Sequence, residues 1–248
     1  MLDFDAGECL LIDKPAGWTS FDVVAKIRNT LKGPKVGHAG TLDPLATGLL
    51  VLCTGRMTKE IDRFMGLDKR YEAELRLGYT TPCYDAELPE TPAGDPATVT
   101  LQAIRRTLET FEGQILQRPP VFSAIRVEGK RAYQAARKGT ADELPPRPVT
   151  IHRIELVAYE PPYRLVLDVR CSKGTYIRSL AHDIGQALGC GAYLRALRRT
   201  EIGTWSITDA RTITEWTEVI KSQRQRVSGT GQAATLETGA EAPGGSGI

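Results

Sequence analysis

Residues 37–48 read Gly37-His38-Ala39-Gly40-Thr41-Leu42-Asp43-Pro44-Leu45-Ala46-Thr47-Gly48. Gly37, Gly40 and Gly48 permit backbone geometry and close ligand approach that a side chain would block. Asp43 stands among small and apolar neighbours, and Pro44 restricts the backbone of Asp43 itself. A lone carboxylate in such a run has two readings. It is a turn aspartate that caps the next element, or it is held by partners for use on a ligand. The run by itself leaves both open.

The flanks place this segment between apolar elements. Upstream, Cys9-Leu-Leu-Ile-Asp13 reads as a short buried strand ended by Lys14-Pro15 and Gly17. Ser20 then reads as the N-cap of a helix with Val23, Val24, Ile27 and Leu31 on one side, closed by Gly33-Pro34. Downstream, Leu49 to Cys53 reads as a buried strand, and Thr58 as the cap of a helix carrying Ile61 and Phe64 up to Gly66. Tyr71 to Leu77 alternates strictly, so Tyr71, Ala73, Leu75 and Leu77 share one strand face. Leu101, Ile104, Leu108 and Phe111 form a helical stripe. Residues 119–148 are rich in proline and cations, with helix expected around Tyr133 to Arg137.

Arg153 to Val157 and Leu165 to Cys171 read as strands. Gly174 turns the chain into a helix with Ile177, Leu180, Ile184 and Leu188 inward, ended at Gly189. Thr175 reads as its N-cap, which puts Arg178 in the first turn. The helix dipole disfavours a cation there, so an arginine makes sense if a carboxylate faces it. Alternating strand faces favour antiparallel or mixed pairing over a doubly wound parallel sheet. The expected class is α+β, with a mixed, mostly antiparallel sheet flanked by helices.

Bulk properties exclude several functions. The chain has 248 residues, 41% of them hydrophobic, enough for a substantial core. A formal charge of +2 does not announce nucleic acid, so any RNA surface must come from local clusters of Lys and Arg. Five scattered cysteines without a Cys-x-x-Cys pair, and no signal peptide, indicate reduced thiols in a cytoplasmic protein. Three histidines at no ligand spacing argue against a metal site. The apolar runs are too short to cross a bilayer. The common phosphate-loop, dinucleotide and serine-nucleophile motifs are missing. From about Ser222 the chain loses its large apolar residues, so 221–248 is expected to be a disordered tail.

The 37–48 run resembles the active-site motif of the TruB family of tRNA pseudouridine-55 synthases. The similarity continues through Leu11-Ile-Asp-Lys-Pro15, Asp68-Lys-Arg-Tyr71, Pro119-Pro-Val-Phe-Ser-Ala124 and Gly129-Lys-Arg-x-Tyr133. It runs on through Cys171-Ser-Lys-Gly-Thr-Tyr-Ile-Arg178, Gly189-Cys-Gly-Ala192 and Leu197-Arg-Arg199, in family order over residues 9–215. One stretch, Leu77-Gly-Tyr-Thr-Thr-Pro-Cys-Tyr-Asp85, departs from the family's usual Thr-Asp-Thr-x-Asp pattern, although Asp85 fits.

The resemblance implies a pseudouridine synthase fold with a central RNA-binding cleft. It implies a catalytic domain over 1–220, in which 119–148 is an insertion that grips the T-arm of tRNA. A C-terminal PUA domain, carried by many members, is not evident. By resemblance Asp43 is the catalytic aspartate, Tyr71 stacks on the target uracil and Arg178 pairs with Asp43. His38 contacts or helps displace the flipped nucleotide, and Leu197 lies in the pocket wall. Gly40, Tyr176 and Lys14 are further substrate-binding candidates. Arg126, Lys130 and Arg131, with Arg137 and Lys138 nearby, are candidate phosphate contacts, as are Arg195, Arg198 and Arg199.

Converting uridine to pseudouridine changes no oxidation state and gains no atoms, so no cofactor or metal is expected. The carboxylate acts at C1′ of the ribose or at C6 of the uracil, and family membership leaves both open. An aspartate with an ordinary pKa of about 3.9 is ionised at neutral pH. Burial raises that value and a facing arginine opposes the rise, so Arg178 maintains and aims the anion more than it creates it. The expected partner is tRNA and the expected state a monomer. Two rival readings stand beside this one: an RNA-binding or RNA-folding module, and a guide-RNA-dependent relative of the dyskerin type. Asp43-Pro-Leu-Ala-Thr-Gly48 is closer to the stand-alone bacterial form.

Overall fold

The computed structural model describes residues 2–122, 126–127, 130–131 and 144–233. The chain begins with β1 (Cys9–Lys14), α1 (Ser20–Leu31), β2 (Val36–His38) and β3 (Thr47–Thr54). A 3-10 turn, Gly55–Glu60, leads into α2 (Ile61–Met65), followed by β4 (Lys69–Leu77), β5 (Tyr79–Thr80) and β6 (Thr91–Pro92). Next come α3 (Leu101–Glu109), β7 (Gly113–Gln117) and a short pair, β8 (Arg126–Val127) with β9 (Lys130–Arg131). The last part holds β10 (Arg147–Glu160), β11 (Arg164–Cys171), α4 (Ile177–Ala187), β12 (Ala192–Ile202), β13 (Trp205–Ser206), β14 (Arg211–Thr212) and α5 (Ile213–Ala233).

Ten of these strands form one sheet in the order β14-β1-β3-β12-β4-β11-β10-β7, with β2 beside β3 and β13 beside β12. The β1–β14 and β3–β12 pairs are parallel, and the remaining described pairs of this sheet are antiparallel. The mixed, mostly antiparallel α+β architecture expected from the alternating strands is therefore present.

Strand β3 explains how the sheet is layered. It is buried from Gly48 to Thr54, which requires cover on both faces and matches its unbroken apolar sequence. Leu50 and Leu52 face α1 through Val23, Ile27 and Leu31, and α5 through Ile213, Trp216 and Ile220. Leu49, Val51 and Cys53 pack on the other side with Ala39 and Ile202. A larger core lies against β4, where Tyr71, Ala73, Leu75 and Leu77 meet Ile104 and Leu108 of α3 and Leu180 and Ile184 of α4. Leu42 and Ala46 belong to this larger core. The 39–46 loop thus bridges the two halves of the sheet.

Several local expectations shift. Thr19, not Ser20, caps α1: its hydroxyl accepts the Asp22 N–H, and the Asp22 carboxylate accepts the Thr19 N–H. The capping box needs an acid three residues on, and only Thr19 has one. Thr58 lies inside the 3-10 turn and donates to the Gly55 carbonyl. Tyr176 precedes the first turn of α4, while the Thr175 hydroxyl donates back to Ser172, so Arg178 still sits in that turn. Strand β10 extends well beyond 153–157 because β7 and β11 pair along its two sides. Helix α5 continues through Ala233, past the expected start of the tail at 221. Straight-chain residues such as Gln223 to Arg226 lose little freedom in a helix, and Trp216 and Ile220 anchor its first half. The helix expected around Tyr133 to Arg137, with Lys138, lies outside the described residues. No described helix is long and apolar enough to cross a membrane.

Candidate active site

The 39–46 loop is fixed from three sides before any chemistry is considered. From α1, the buried Ser20 hydroxyl accepts the Leu42 N–H at 2.9 Å and donates to the Leu42 carbonyl at 3.2 Å. From β1 and its turn, the Gly17 N–H donates to the Pro44 carbonyl at 2.8 Å, and Lys14 Nζ reaches the same carbonyl at 3.5 Å. From β12, the Arg199 guanidinium donates to Gly40, Thr41 and Leu49. Within the loop, the Ala46 N–H closes a turn on the Asp43 carbonyl.

The β3–β12 seam under the loop is short. Its register is Arg198 against Thr47 and Arg199 against Gly48. Gly48 has φ +99°, and a Cβ there would lie 2.3 Å from the Arg199 carbonyl oxygen. Only glycine allows the two backbones to meet so closely.

Asp43 projects from this loop with its side chain 36% exposed. Arg178 Nε lies 3.0 Å from its Oδ2, although the N–H is not aimed well enough for a hydrogen bond. The contact is a close ion pair. Arg178 Nη1 faces Asp85 Oδ2 at 3.1 Å and donates to the Cys83 carbonyl at 3.3 Å, while Nη2 donates to the Phe122 carbonyl at 3.0 Å. One buried arginine thus serves two carboxylates, with backbone acceptors holding its far edge. Asp85 is fully buried and accepts from Cys83 Sγ and from the Glu87 N–H. The Thr81 hydroxyl also donates to the Asp85 carbonyl at 2.7 Å. The departure from the usual pattern over 77–85 therefore still delivers a well-held Asp85.

The helix dipole works against Arg178 in the first turn of α4, and the two acids offset it. Gln117 of β7 holds the helix start: its side chain donates to the Tyr176 carbonyl and accepts the Tyr176 N–H. The Arg147 guanidinium lies 5.1 Å from the centre of the Tyr176 ring.

Burial dominates the Asp43 carboxyl and raises its pKa; Arg178 lowers it, Asp85 raises it, and Lys14 and Arg199 lower it further. The three cations thus moderate a burial cost without cancelling it. Burial also lowers His38, helped by the Arg199 charge, so its imidazole is neutral at pH 7. Its ring meets Phe21 edge-on at 5.5 Å. Tyr71 is 8% exposed, and burial raises its pKa, so the phenol is protonated. Leu197 packs in the same core as Tyr71, Leu42 and Ala46.

The structure brings Asp43, Arg178, Tyr71, Leu197, Lys14, Gly40 and His38 into one neighbourhood, with Tyr176 at the entry to α4. Lys14, however, is fully buried and donates to the carbonyls of Pro15 and Trp18 as well as Pro44. It offers no surface to a phosphate and acts here as a buried charge and loop anchor, its pKa lowered to about 8 chiefly by burial. Arg126, Lys130 and Arg131 fall on the β8–β9 pair, with Arg126 opposite Arg131. Of the second basic group, Arg199 is withdrawn from solvent, while Arg195 and Arg198 keep side chains 57% and 40% exposed. Arg195 and Arg198 pair with Glu74 and Asp13, and Arg199 is 1% exposed. Ser20, Asp85 and Arg199 hold the site without having been given that role from sequence. A serine after a capping threonine and an arginine next to an exposed one carry no local signal of burial.

Solved structures share this fold. A chain in "Structure of H/ACA RNP bound to a substrate RNA containing 2'-deoxyuridine" superposes with a TM-score of 0.65 at 29% identity, covering 87% of this chain and 53% of that one. A chain of "Crystal Structure of a Cbf5-Nop10-Gar1 Complex" gives 0.64 at 32% identity, covering 82% and 50%. This protein spans about half the length of those two chains. Among curated proteins, "tRNA pseudouridine synthase B" of Parabacteroides distasonis is 51% identical over 208 residues, 82% of this chain and 88% of its own length. Its namesake in Bacteroides fragilis is 45% identical over 233 residues, 92% of this chain and 100% of its own. Residues 28–177 match the model "TruB family pseudouridylate synthase (N terminal domain)", and 178–230 match "tRNA pseudouridylate synthase B C-terminal domain". The fold is that of a pseudouridylate synthase. Within that class, the chain belongs to the TruB family.

Proposed function

We propose that this protein isomerises uridine to pseudouridine at position 55 in the T-arm of tRNA, with Asp43 as the covalent catalyst. The observation that carries the assignment is the Arg178–Asp43 pair at 3.0 Å, set on a loop bonded from three sides. A carboxylate that attacks or stabilises a developing cation must be ionised and aimed before substrate arrives. Arg178 favours the anion, and the loop bonds remove the need to reorganise during reaction.

The target base leaves its stack at a cost of a few kcal/mol, which contacts in the site offset. The Tyr71 ring stacks on the uracil, worth about 1–3 kcal/mol. Burial raises the pKa of its phenol, which is therefore protonated before substrate binds and able to donate a hydrogen bond. Neutral His38, the Gly40 backbone, Tyr176 and Leu197 surround the flipped nucleotide. The β8–β9 pair, carrying Arg126, Lys130 and Arg131, contributes phosphate contacts from the 119–148 insertion, which grips the T-arm beside the central cleft. Residues 1–220 form the catalytic domain, which acts as a monomer in the cytoplasm on free tRNA. The isomerisation draws on this chain's residues alone.

The test is site-mapped modification of an unmodified T-arm minihelix by purified protein without guide RNA. Wild type is expected to convert a single uridine, and Asp43→Asn to bind RNA with no product. Substantial product from Asp43→Asn would sink the assignment of Asp43. Activity only when guide RNA is added would move the protein to the guide-dependent reading, and binding without any conversion would leave an RNA-binding module.

A further inference from the structure

Arg199 is one of the largest fully buried side chains of the protein, and its described partners are neutral. Nε donates to the Leu49 carbonyl at 2.7 Å, Nη1 to Thr41 at 3.4 Å and Nη2 to Gly40 at 3.2 Å. The guanidinium also lies against the Tyr71 hydroxyl. Burying a charge is costly without paired, well-bonded surroundings, so a cation held mainly by backbone oxygens has a specific duty. A phosphate cannot reach it at 1% exposure.

Its three acceptors lie on both limbs of one loop. Gly40 and Thr41 precede Asp43, and Leu49 follows it in β3. The planar fork of arginine spans such a set, and a lysine ammonium cannot reproduce its geometry. The backbone of Arg199 is locked in turn against Gly48 across the seam, so the fork starts from a fixed point.

We infer that Arg199 is a positioning residue, which ties the two limbs of the 40–49 loop together and sets where the Asp43 carboxylate stands relative to Arg178. This rests on the isomerase reading above and deepens it. The Arg199 charge has a second effect at a distance, since it favours ionised Asp43 and neutral His38.

The test compares wild type, Arg199→Lys and Arg199→Met in single-turnover and steady-state modification of the T-arm minihelix, with circular dichroism to establish folding. Both variants are expected to fold and to keep KM, while kcat falls about 100-fold, the scale of a misplacement of about 1 Å. The acid limb of the kcat profile is expected to move to higher pH in Arg199→Met, a change that a merely structural role would not produce. Three results would overturn the inference. These are full kcat in Arg199→Lys, a rise in KM with kcat intact, and loss of fold in both variants. Inactive wild type would instead count against the isomerase reading itself.

Discussion

Ser20 and Thr19 are chain neighbours with separate duties, and replacing each by alanine pulls those duties apart. Thr19 caps α1, and loss of such a cap costs about 1 kcal/mol. Ser20 is 2% exposed and makes two bonds to Leu42, one as acceptor and one as donor. Alanine at 20 leaves a buried N–H and a buried carbonyl without their partner, at about 1–3 kcal/mol for each group. The expected loss of stability for Ser20→Ala is therefore roughly 2–6 kcal/mol, against about 1 for Thr19→Ala. The catalytic consequence separates them further. Leu42 is the residue before Asp43, so its release lets the carboxylate drift from Arg178, and kcat should fall about 10–100-fold. Thr19→Ala leaves the loop alone and should retain kcat. Urea denaturation measures the first quantity and single-turnover pseudouridine formation the second. If Ser20→Ala is no less stable than Thr19→Ala, or turns over at the wild-type rate, Ser20 does not hold the loop.

Further expectations follow from the same geometry. The folded-state pKa of Asp43 is raised by burial, so the folded protein binds more protons than the unfolded chain as pH passes through that window, and ionised Asp43 lowers stability above it. Asp43→Asn should thus melt higher than wild type at pH 7, with the gain vanishing below the ordinary carboxylate range; equal melting at both pH values would refute this. Lys14 loses its proton near pH 8, where its hold on the Pro44 carbonyl and its support of the Asp43 anion both weaken. The kcat profile should carry an alkaline limb there, and Lys14→Met should show lower and flatter activity across it. Gly48→Ala meets the Arg199 carbonyl at 2.3 Å with φ +99°, and should cost roughly 4 kcal/mol or more, which thermal denaturation would report. Gly17 has φ +79° with nothing within 4 Å of a Cβ, so Gly17→Ala should cost only about 1–2 kcal/mol.

How much of this was legible depended on period and on locality. The Tyr71 to Leu77 alternation and the Leu101, Ile104, Leu108 stripe are short-range patterns, and both elements stand where they were expected. Element ends were less legible, because Thr19 and Ser20 both suit a cap and only the position of Asp22 decides. The Asp43–Arg178 pair was expected by resemblance and from a first-turn arginine that wants an anion. The supports of that pair were not visible. Arg199 looks like Arg198 in sequence, and only the β3–β12 register buries one and leaves the other paired with Asp13 at the edge. Lys14 stands in sequence as a substrate-binding candidate, and only the fold buries it against the Trp18 and Pro44 carbonyls. Long-range burial decides such residues, and no local window contains it.

The seam between β3 and β12 also dates the site within the life of the chain. Arg199 reaches Leu49 across 150 positions, and Thr47 reaches Leu197 across the same span. During synthesis, Asp43, Tyr71 and Asp85 emerge early, while Arg178 and Arg199 emerge near the end, and contacts so distant in sequence close late. A nascent or truncated polypeptide therefore carries its acid without the arginines that aim it. Such a fragment is expected to yield no pseudouridine, so the onset of modification would report that the β3–β12 seam has closed.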